Sequence, residues 1–293
     1  MPELPEVQAL VADLGSRLIG RRIARVDVTA FSALKTYDPP TTAFTGAKFT
    51  EITRHGKFLD LMAVGAATED KPLHLIIHLA RAGWIRWREN SPTPGAGRGK
   101  GPLAARLVLD DGSGFDITEA GTKKSLAVYV VRDPQDVPGI ARLGPDPLEP
   151  DFTLDVLAGI LKRAGRSQIK GVLRNQGTIA GIGNAYSDEI LHVAKMSPFK
   201  AADMPPDDVS TLYDAMQSTL RDAVARADGV SASELKAEKK SGLRVHGRNG
   251  LPCPVCGDTV RQVIFSDSTF QYCPTCQTGG KPLADRVLSR LLK

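Results

Sequence analysis

Residues 1–20 read MPELPEVQALVADLGSRLIG, and this stretch supports two readings. As the start of a helix it is well made. Pro5 suits the first turn, where its missing N–H costs nothing, Glu6 stands at the positive end of the helix dipole, and Gly20 is a natural stop. Between them Val7, Leu10, Val11, Leu14 and Leu18 recur at helical spacing and predict one buried stripe. That reading leaves Pro2 and Glu3 without a purpose. Proline in position two permits removal of the initiator methionine, which would expose a secondary amine. An α-amino group titrates near ~7.7–8.0, so a useful fraction is neutral and nucleophilic at physiological pH. Attack by such an amine on a sugar carbon gives an iminium, an electron sink for elimination.

Outward from this helix the pattern changes to strands. Ala24, Val26 and Val28 alternate with Arg25 and Asp27, and residues 46–54, 57–64, 73–80 and 83–88 are short apolar segments bounded by turn residues. Residues 103–109 and 115–118 flank Asp110-Asp111-Gly112-Ser113-Gly114 as a hairpin, and 125–131 closes the region. Short strands at this density predict a sandwich or a barrel. Residues 91–101 (SPTPGAGRGKG) read as a basic loop, and 132–150, with five prolines, as a linker. Beyond it the period is helical over 153–162, 167–175, 184–194 and 206–227. No internal repeat is evident.

The four cysteines fall together, as Cys253-Pro-Val-Cys256 and Cys273-Pro-Thr-Cys276 with sixteen residues between the pairs. Each C-x-x-C turn aims two thiolates at one point, and two such turns complete a tetrahedron. Two redox dithiols, or four unrelated cysteines, are the competing readings; the paired spacing favours one structural zinc per chain. Residues 259–266 and 269–272 predict a hairpin between the pairs, too small to fold on its own core without metal. Clustered cysteines suit a reducing, cytoplasmic setting. No apolar stretch is long enough for a membrane span and no secretory leader opens the chain, so no membrane association is expected. The net charge of +5 over 293 residues is compatible with an acidic partner.

The opening MPELPEV, together with four further motifs in order, resembles the bacterial formamidopyrimidine-DNA glycosylase and endonuclease VIII family. Arg54-His-Gly-Lys57-Phe-Leu is similar to its strand-borne lysine motif, and Leu143-Gly-Pro-Asp-Pro-Leu148 to its interdomain linker. Ile179-Ala-Gly-Ile-Gly-Asn-Ala-Tyr186, with Glu189 following, resembles its DNA-binding element, and Val245-His-Gly-Arg248-Asn-Gly250 the approach to its zinc finger. The resemblance implies an α+β fold: an N-terminal β-sandwich with leading helix (1–131), a linker (132–150), a helix–two-turn–helix domain (151–250), a four-cysteine zinc ribbon (251–280) and a basic tail (281–293).

It also implies a DNA-repair glycosylase with abasic-site lyase activity by β/δ-elimination, a monomer with damaged DNA as partner and no small-molecule cofactor, in the cytoplasm with the nucleoid. Pro2 would be the nucleophile, Glu3 the acid/base group beside it, and Glu6 a support for the catalytic terminus. Lys57 and Asn184 would bind phosphates flanking the lesion, and Gly181 and Gly183 would turn backbone N–H groups toward a phosphate. Arg248 would add a DNA contact at the approach to the ribbon. Lys57 also reads as a solvated lysine at a sheet edge.

Two departures stand out. The family fills the gap left by a flipped base with a methionine and an arginine–phenylalanine pair. Arg81 stands at the first position, and residues 118–124 (TEAGTKK) hold no aromatic residue. Arg81, Lys123 and Lys124 could fill or neutralise the gap; Lys123 and Lys124 read equally as a solvated loop. The family's phosphate-binding arginine, five residues before the third cysteine, is here Ser268. These losses make a catalytically weakened DNA-binding protein on the same scaffold the alternative, against which the presence of both Pro2 and Glu3 argues. Within the tail, Leu283, Val287, Leu288 and Leu291 form an amphipathic pattern that suits either core packing or phosphate contact.

Overall fold

The computed structural model describes residues 1–65, 71–92, 102–265 and 268–284. Most of the basic loop (93–101), most of the tail (285–293) and residues 266–267 lie outside the described residues, as do the side chains of Phe265 and Ser268. The chain divides into two compact units, Met1–Arg142 with Arg226–Glu238, and Leu143–Ala225 with Lys239–Lys293. No helix among the described residues is long and apolar enough to cross a membrane.

Helix α1 (Leu4–Leu18) begins where the sequence sets it, with Glu3 as N-cap, Pro5 in the first turn and Glu6 closing a capping box. Val7, Leu10, Leu14 and Leu18 are each at most 1% exposed and enter the core of the first unit. Among the described residues eight strands follow: β1 (Ile23–Val28), β2 (Lys48–His55), β3 (Phe58–Val64), β4 (Leu73–His78), β5 (Gly83–Arg88), β6 (Leu103–Leu109), β7 (Gly114–Glu119) and β8 (Ala127–Val131). They form two four-stranded antiparallel sheets, ordered β1-β6-β7-β5 and β2-β3-β4-β8. Alternation decides which side chains enter the core. Leu59, Leu61 and Ala63 of β3 and Leu73, Leu75 and Ile77 of β4 point inward, leaving Phe58, Asp60, His74 and His78 on the opposite face. Part of the proline-rich stretch packs in this unit too: Val137 and Ile140 are buried, and Gly139 lies so close to Phe58 that a Cβ there would stand 2.5 Å from the ring.

The β6–β7 turn is made by its own side chains. Asp111 Oδ1 accepts from the Ser113 N–H at 3.0 Å and from its hydroxyl at 2.7 Å. Gly114 cannot be replaced cheaply, because its φ is +154° and a Cβ would meet the Leu107 carbonyl oxygen at 2.0 Å.

In the second unit, α2 (Leu154–Ala164) is capped by Thr153 Oγ1, which accepts from the Val156 N–H at 3.3 Å. Helices α3 (Ile169–Arg174), α4 (Asn184–Val193) and α5 (Pro206–Ala227) follow, and Leu157, Ile169, Ile190, Leu212 and Met216 build their shared core. Just beyond α5, Ala232 and Leu235 are buried with the β-sheet core of the first unit, so residues 226–238 pack there rather than with the helices that precede them. Helix α6 (Leu235–Gly242), which the sequence reading does not contain, leads to the hairpin β9 (Arg261–Phe265) and β10 (Ser268–Tyr272) and the short α7 (Pro274–Thr278). Leu283, at the start of the tail, packs against Val263, Phe270 and Tyr272, and its N–H donates to the Tyr272 hydroxyl at 2.7 Å.

Candidate functional site

The candidate residues fall into both units. In the first, Pro2, Glu3 and Glu6 are all buried at the start of α1, with Glu3 2% and Glu6 1% exposed. Glu6 Oε2 accepts from the Glu3 N–H at 2.7 Å, so the two carboxylates are fixed by the turn that starts the helix. Lys57 lies in the turn between β2 and β3 rather than on a strand, and it is 8% exposed, which is not the burial of a solvated edge lysine. Arg54 Nε donates to Gln8 Oε1 at 2.7 Å and ties this turn to α1.

Three residues beyond Lys57, Asp60 centres a polar group that the sequence reading missed. Asp60, 3% exposed, accepts from His55 Nε2 at 3.0 Å and His74 Nδ1 at 2.8 Å. Burial alone would raise its carboxyl, but the two histidines outweigh that and hold it below the usual range. His78, with its ring 4.6 Å from that of Phe58, is pushed down to about 4 by burial and by the charge of Lys57.

The two turns expected to face a flipped base are set side by side by the β5–β7 register, Gly83 opposite Glu119. The first is tight: the Gly83 N–H donates to the Leu79 carbonyl at 2.8 Å, and Ala80 takes a φ of +50°, unusual for a residue with a Cβ. Arg81 is exposed at its tip. The second is closed by Glu119, 3% exposed, whose Oε1 accepts from the N–H groups of Ser125 at 2.7 Å and Leu126 at 2.9 Å. Lys124 Nζ donates back to the Glu119 carbonyl, and Lys123 is exposed.

In the second unit Asn184 is the first residue of α4, preceded by the turn of Gly181 and Gly183. Gly181 has a φ of +84°, and its N–H donates to Gln176 Oε1 at 3.0 Å, while Gln176 Nε2 donates to the Ile182 carbonyl at 2.6 Å. Gln176, unmarked in the sequence, therefore shapes this turn. Asn184 Nδ2 donates to the Thr269 carbonyl of β10 at 3.0 Å, and its buried Oδ1 has no hydrogen-bond partner among the described residues.

One turn further along α4, Asp188 forms a fully buried ion pair with Lys170 and accepts from His246 Nδ1 at 2.8 Å and from the Gln271 N–H at 3.2 Å. The Lys170 ammonium also lies 4.7 Å from the Phe270 ring centre. Glu189 accepts from the N–H groups of Arg244, Val245 and His246 at 2.7, 2.9 and 2.8 Å. Burial keeps its carboxyl above the usual range despite these bonds. Arg248 Nη2 donates to the Pro252 carbonyl at 3.2 Å, inside the approach to the ribbon.

The four cysteine sulfurs lie within 4.8 Å of one another, with Cys253–Cys276 at 3.9 Å and Cys256–Cys273 at 3.3 Å. A tetrahedron of thiolates at a metal–sulfur distance of ~2.3 Å has edges of about 3.8 Å, so the cluster fits a metal ion, whereas a disulfide needs ~2.05 Å. His192 Nε2 lies 3.3 Å from Cys253 Sγ.

Comparison with known proteins agrees with this arrangement. Residues 1–121 match the formamidopyrimidine-DNA glycosylase N-terminal domain, and residues 143–234 match the formamidopyrimidine-DNA glycosylase H2TH domain. The chain is 36% identical over 289 residues to a formamidopyrimidine-DNA glycosylase of Symbiobacterium thermophilum, covering 94% of this chain and 89% of that one. It is 63% identical over 153 residues to an uncharacterized formamidopyrimidine-DNA glycosylase-like protein of Mycobacterium tuberculosis, covering 52% of this chain and 94% of that one. Among solved structures, the MutM (Fpg) protein of Thermus thermophilus superposes with a TM-score of 0.78 at 29% identity, over 96% of this chain and all of that one. A MutM complex with carbocyclic 8-oxo-G containing DNA gives 0.79 at 26% identity, over 94% of this chain and 100% of that one. With its N-terminal sheets, its helical second unit and its cysteine cluster all in family order, the chain belongs to the formamidopyrimidine-DNA glycosylase family.

Proposed function

We propose that the chain excises damaged bases from DNA and then cleaves the resulting abasic site, working through a Schiff base at Pro2. The observation that carries this reading is the buried cluster of Pro2, Glu3 and Glu6 at the start of α1. With Met1 removed, the pyrrolidine nitrogen attacks C1′ of the damaged nucleotide, and the glycosidic electron pair leaves with the base. Glu3 protonates the opening sugar and then carries protons during elimination. Loss of a 2′ proton from the iminium-activated carbon expels the 3′ phosphate, loss of the 4′ proton through the resulting conjugated iminium expels the 5′ phosphate, and hydrolysis of the iminium frees the proline. Lys57 and Asn184 hold the flanking phosphates. Arg81, Lys123 and Lys124 stand at the vacated base position. Gly181, Gly183 and Arg248 add backbone and side-chain contacts to the duplex. The metal held by Cys253, Cys256, Cys273 and Cys276 is zinc, one per monomer, and four thiolates leave it no open position for chemistry.

Borohydride trapping on an abasic duplex tests the mechanism, since only a covalent iminium is trapped. Pro2→Gly should lose most of the adduct, and a form that retains Met1 should give none; equal trapping by all three proteins would overturn the assignment. Arg81 and Ser268 at positions where the family places other side chains favour a second reading, a DNA-binding protein with weakened catalysis. They also bear on substrate. A charge-assisted phosphate contact contributes about 1.5–3 kcal/mol, so its loss at Ser268 could cost roughly a hundredfold in productive binding. Poor excision of 8-oxoguanine from an ordinary duplex is therefore expected, with better activity on abasic, bubble or single-stranded substrates. Single-turnover rates on matched duplex and bubble substrates decide this, and Ser268→Arg should raise the duplex rate.

A further inference from the structure

A groove of about 600 Å³ runs along the free edge of β5, walled by α1 and by residues 231–236, all within the first unit. In the order β1-β6-β7-β5 that strand pairs, among the described residues, with β7 alone. The two tryptophans of the chain, Trp84 and Trp87, both line the groove and both are half-buried. Trp87 is fixed on two sides: the Arg17 guanidinium lies 4.9 Å from its ring centre, and its Nε1 donates to Glu89 Oε1 at 3.0 Å. Trp84 has no such clamp among the described residues.

The charges of the wall do not cancel. Arg17 is paired with Asp13 at 2.9 Å and Arg88 with Asp116 at 3.0 Å. Arg86 and Lys236 are exposed in the same wall and make no ion pair among the described residues. At one end the groove reaches Ala82 and Ala120, the neighbours of Arg81 and of the 121–124 loop.

We propose that this groove is a second DNA subsite, which takes a short single-stranded segment as it leaves the lesion. Aromatic faces that stack bases, combined with unpaired cations that follow the backbone, are how single strands are held without sequence preference. Bases stack on Trp84, and phosphates meet Arg86 and Lys236. The inference rests on reading the chain as a DNA-repair glycosylase. It supplies what the 118–124 segment lacks, because a strand drawn into the groove keeps the duplex open without a phenylalanine wedge.

Because Trp84 and Trp87 are the only tryptophans, intrinsic fluorescence reports on the groove directly. Titration with an unstructured oligothymidylate should quench it, with an affinity that falls as salt rises and drops about tenfold in an Arg86→Glu/Lys236→Glu double variant. Trp84→Phe should remove most of the quenching. On abasic substrates the double variant should lose its preference for a bubble over a duplex while still trapping a blunt abasic duplex normally. Absence of quenching, or equal affinity in the double variant, overturns the proposal even if trapping succeeds, and would leave an extended peptide on the β5 edge as the occupant to test. Oligothymidylate quenching without any trapping by the wild type would instead refute the glycosylase reading and leave the groove standing.

Discussion

The face of α4 and the paired turns after β4 and β7 are built in opposite ways. Along α4, Asn184, Asp188, Glu189 and His192 recur at helical spacing, and each meets a group on the ribbon or its approach: Thr269, Gln271, the 244–246 backbone and Cys253. Most of these contacts are buried, so each is costly to break. The two turns instead carry exposed Arg81 and Lys123, anchored from below by the Gly83 N–H and the Glu119 carboxylate. A frame locked by many partners tolerates little change, whereas tips held by one or two anchors can change side chains without unfolding anything. The departures from the family pattern at Arg81 and in the 118–124 segment lie on those tips.

Four measurements test this contrast. Lys170→Met leaves the Asp188 carboxylate buried without its ammonium and should cost about 3–5 kcal/mol, read from the urea midpoint of the second unit. A loss below ~1 kcal/mol would mean that the network does not lock the frame. Glu119→Ala removes the acceptor of two backbone N–H groups and should cost about 2–3 kcal/mol while opening the 120–125 loop to proteolysis. If the loop stays protected, its anchor lies elsewhere.

The third measurement concerns His78, at the foot of the turn that carries Arg81. The folded ring titrates at about 4 against 6.5 in an unstructured chain, so on acidification the unfolded state takes up the proton first. This group leaves stability unchanged above about pH 7, reduces it as the pH falls from 6.5 to 4, and adds no further loss below. Between pH 7 and pH 5 the loss should be on the order of 2 kcal/mol. His78→Phe should flatten that part of the curve, and an unchanged slope would exclude His78 as its source. Arg81→Ala, the smallest change, should stay within about 0.5 kcal/mol of wild-type stability and alter only the handling of duplex DNA.

The strands and helices were largely legible because one-sided burial imposes a period on the sequence. The 206–227 helix and the 103–109 strand end where the pattern ends. The cysteine cluster was legible from spacing alone, since two tight turns and four thiolates have few other uses. What could not be read was any pairing of polar residues distant in sequence. Lys170 looks like one more charge on a helix, and its contacts with Asp188, Phe270 and the 184 carbonyl explain why it is fully buried. Asp60 with His55 and His74, Glu119 beneath its loop, and Gln176 inside the α3–α4 turn are of the same kind. Each residue is ordinary by itself, and the information lies in which strand or turn is brought beside it. Residues 226–238 were opaque for a related reason: Ala232 and Leu235 mark a buried stripe without saying whose core it enters.

The bonds between α4 and the ribbon also bear on inheritance and grafting. Positions 184, 188, 189 and 192 answer to 269, 271, 244–246 and 253, so substitutions at one set should survive in descendants only alongside changes in the other. A cysteine hairpin cut out at residue 251 and moved to a foreign scaffold would leave behind the acceptors and donors that orient it. The transferable module is the helix together with the ribbon, and a chimera that exchanges both should keep its cysteine cluster and its fold where one that exchanges either alone loses them.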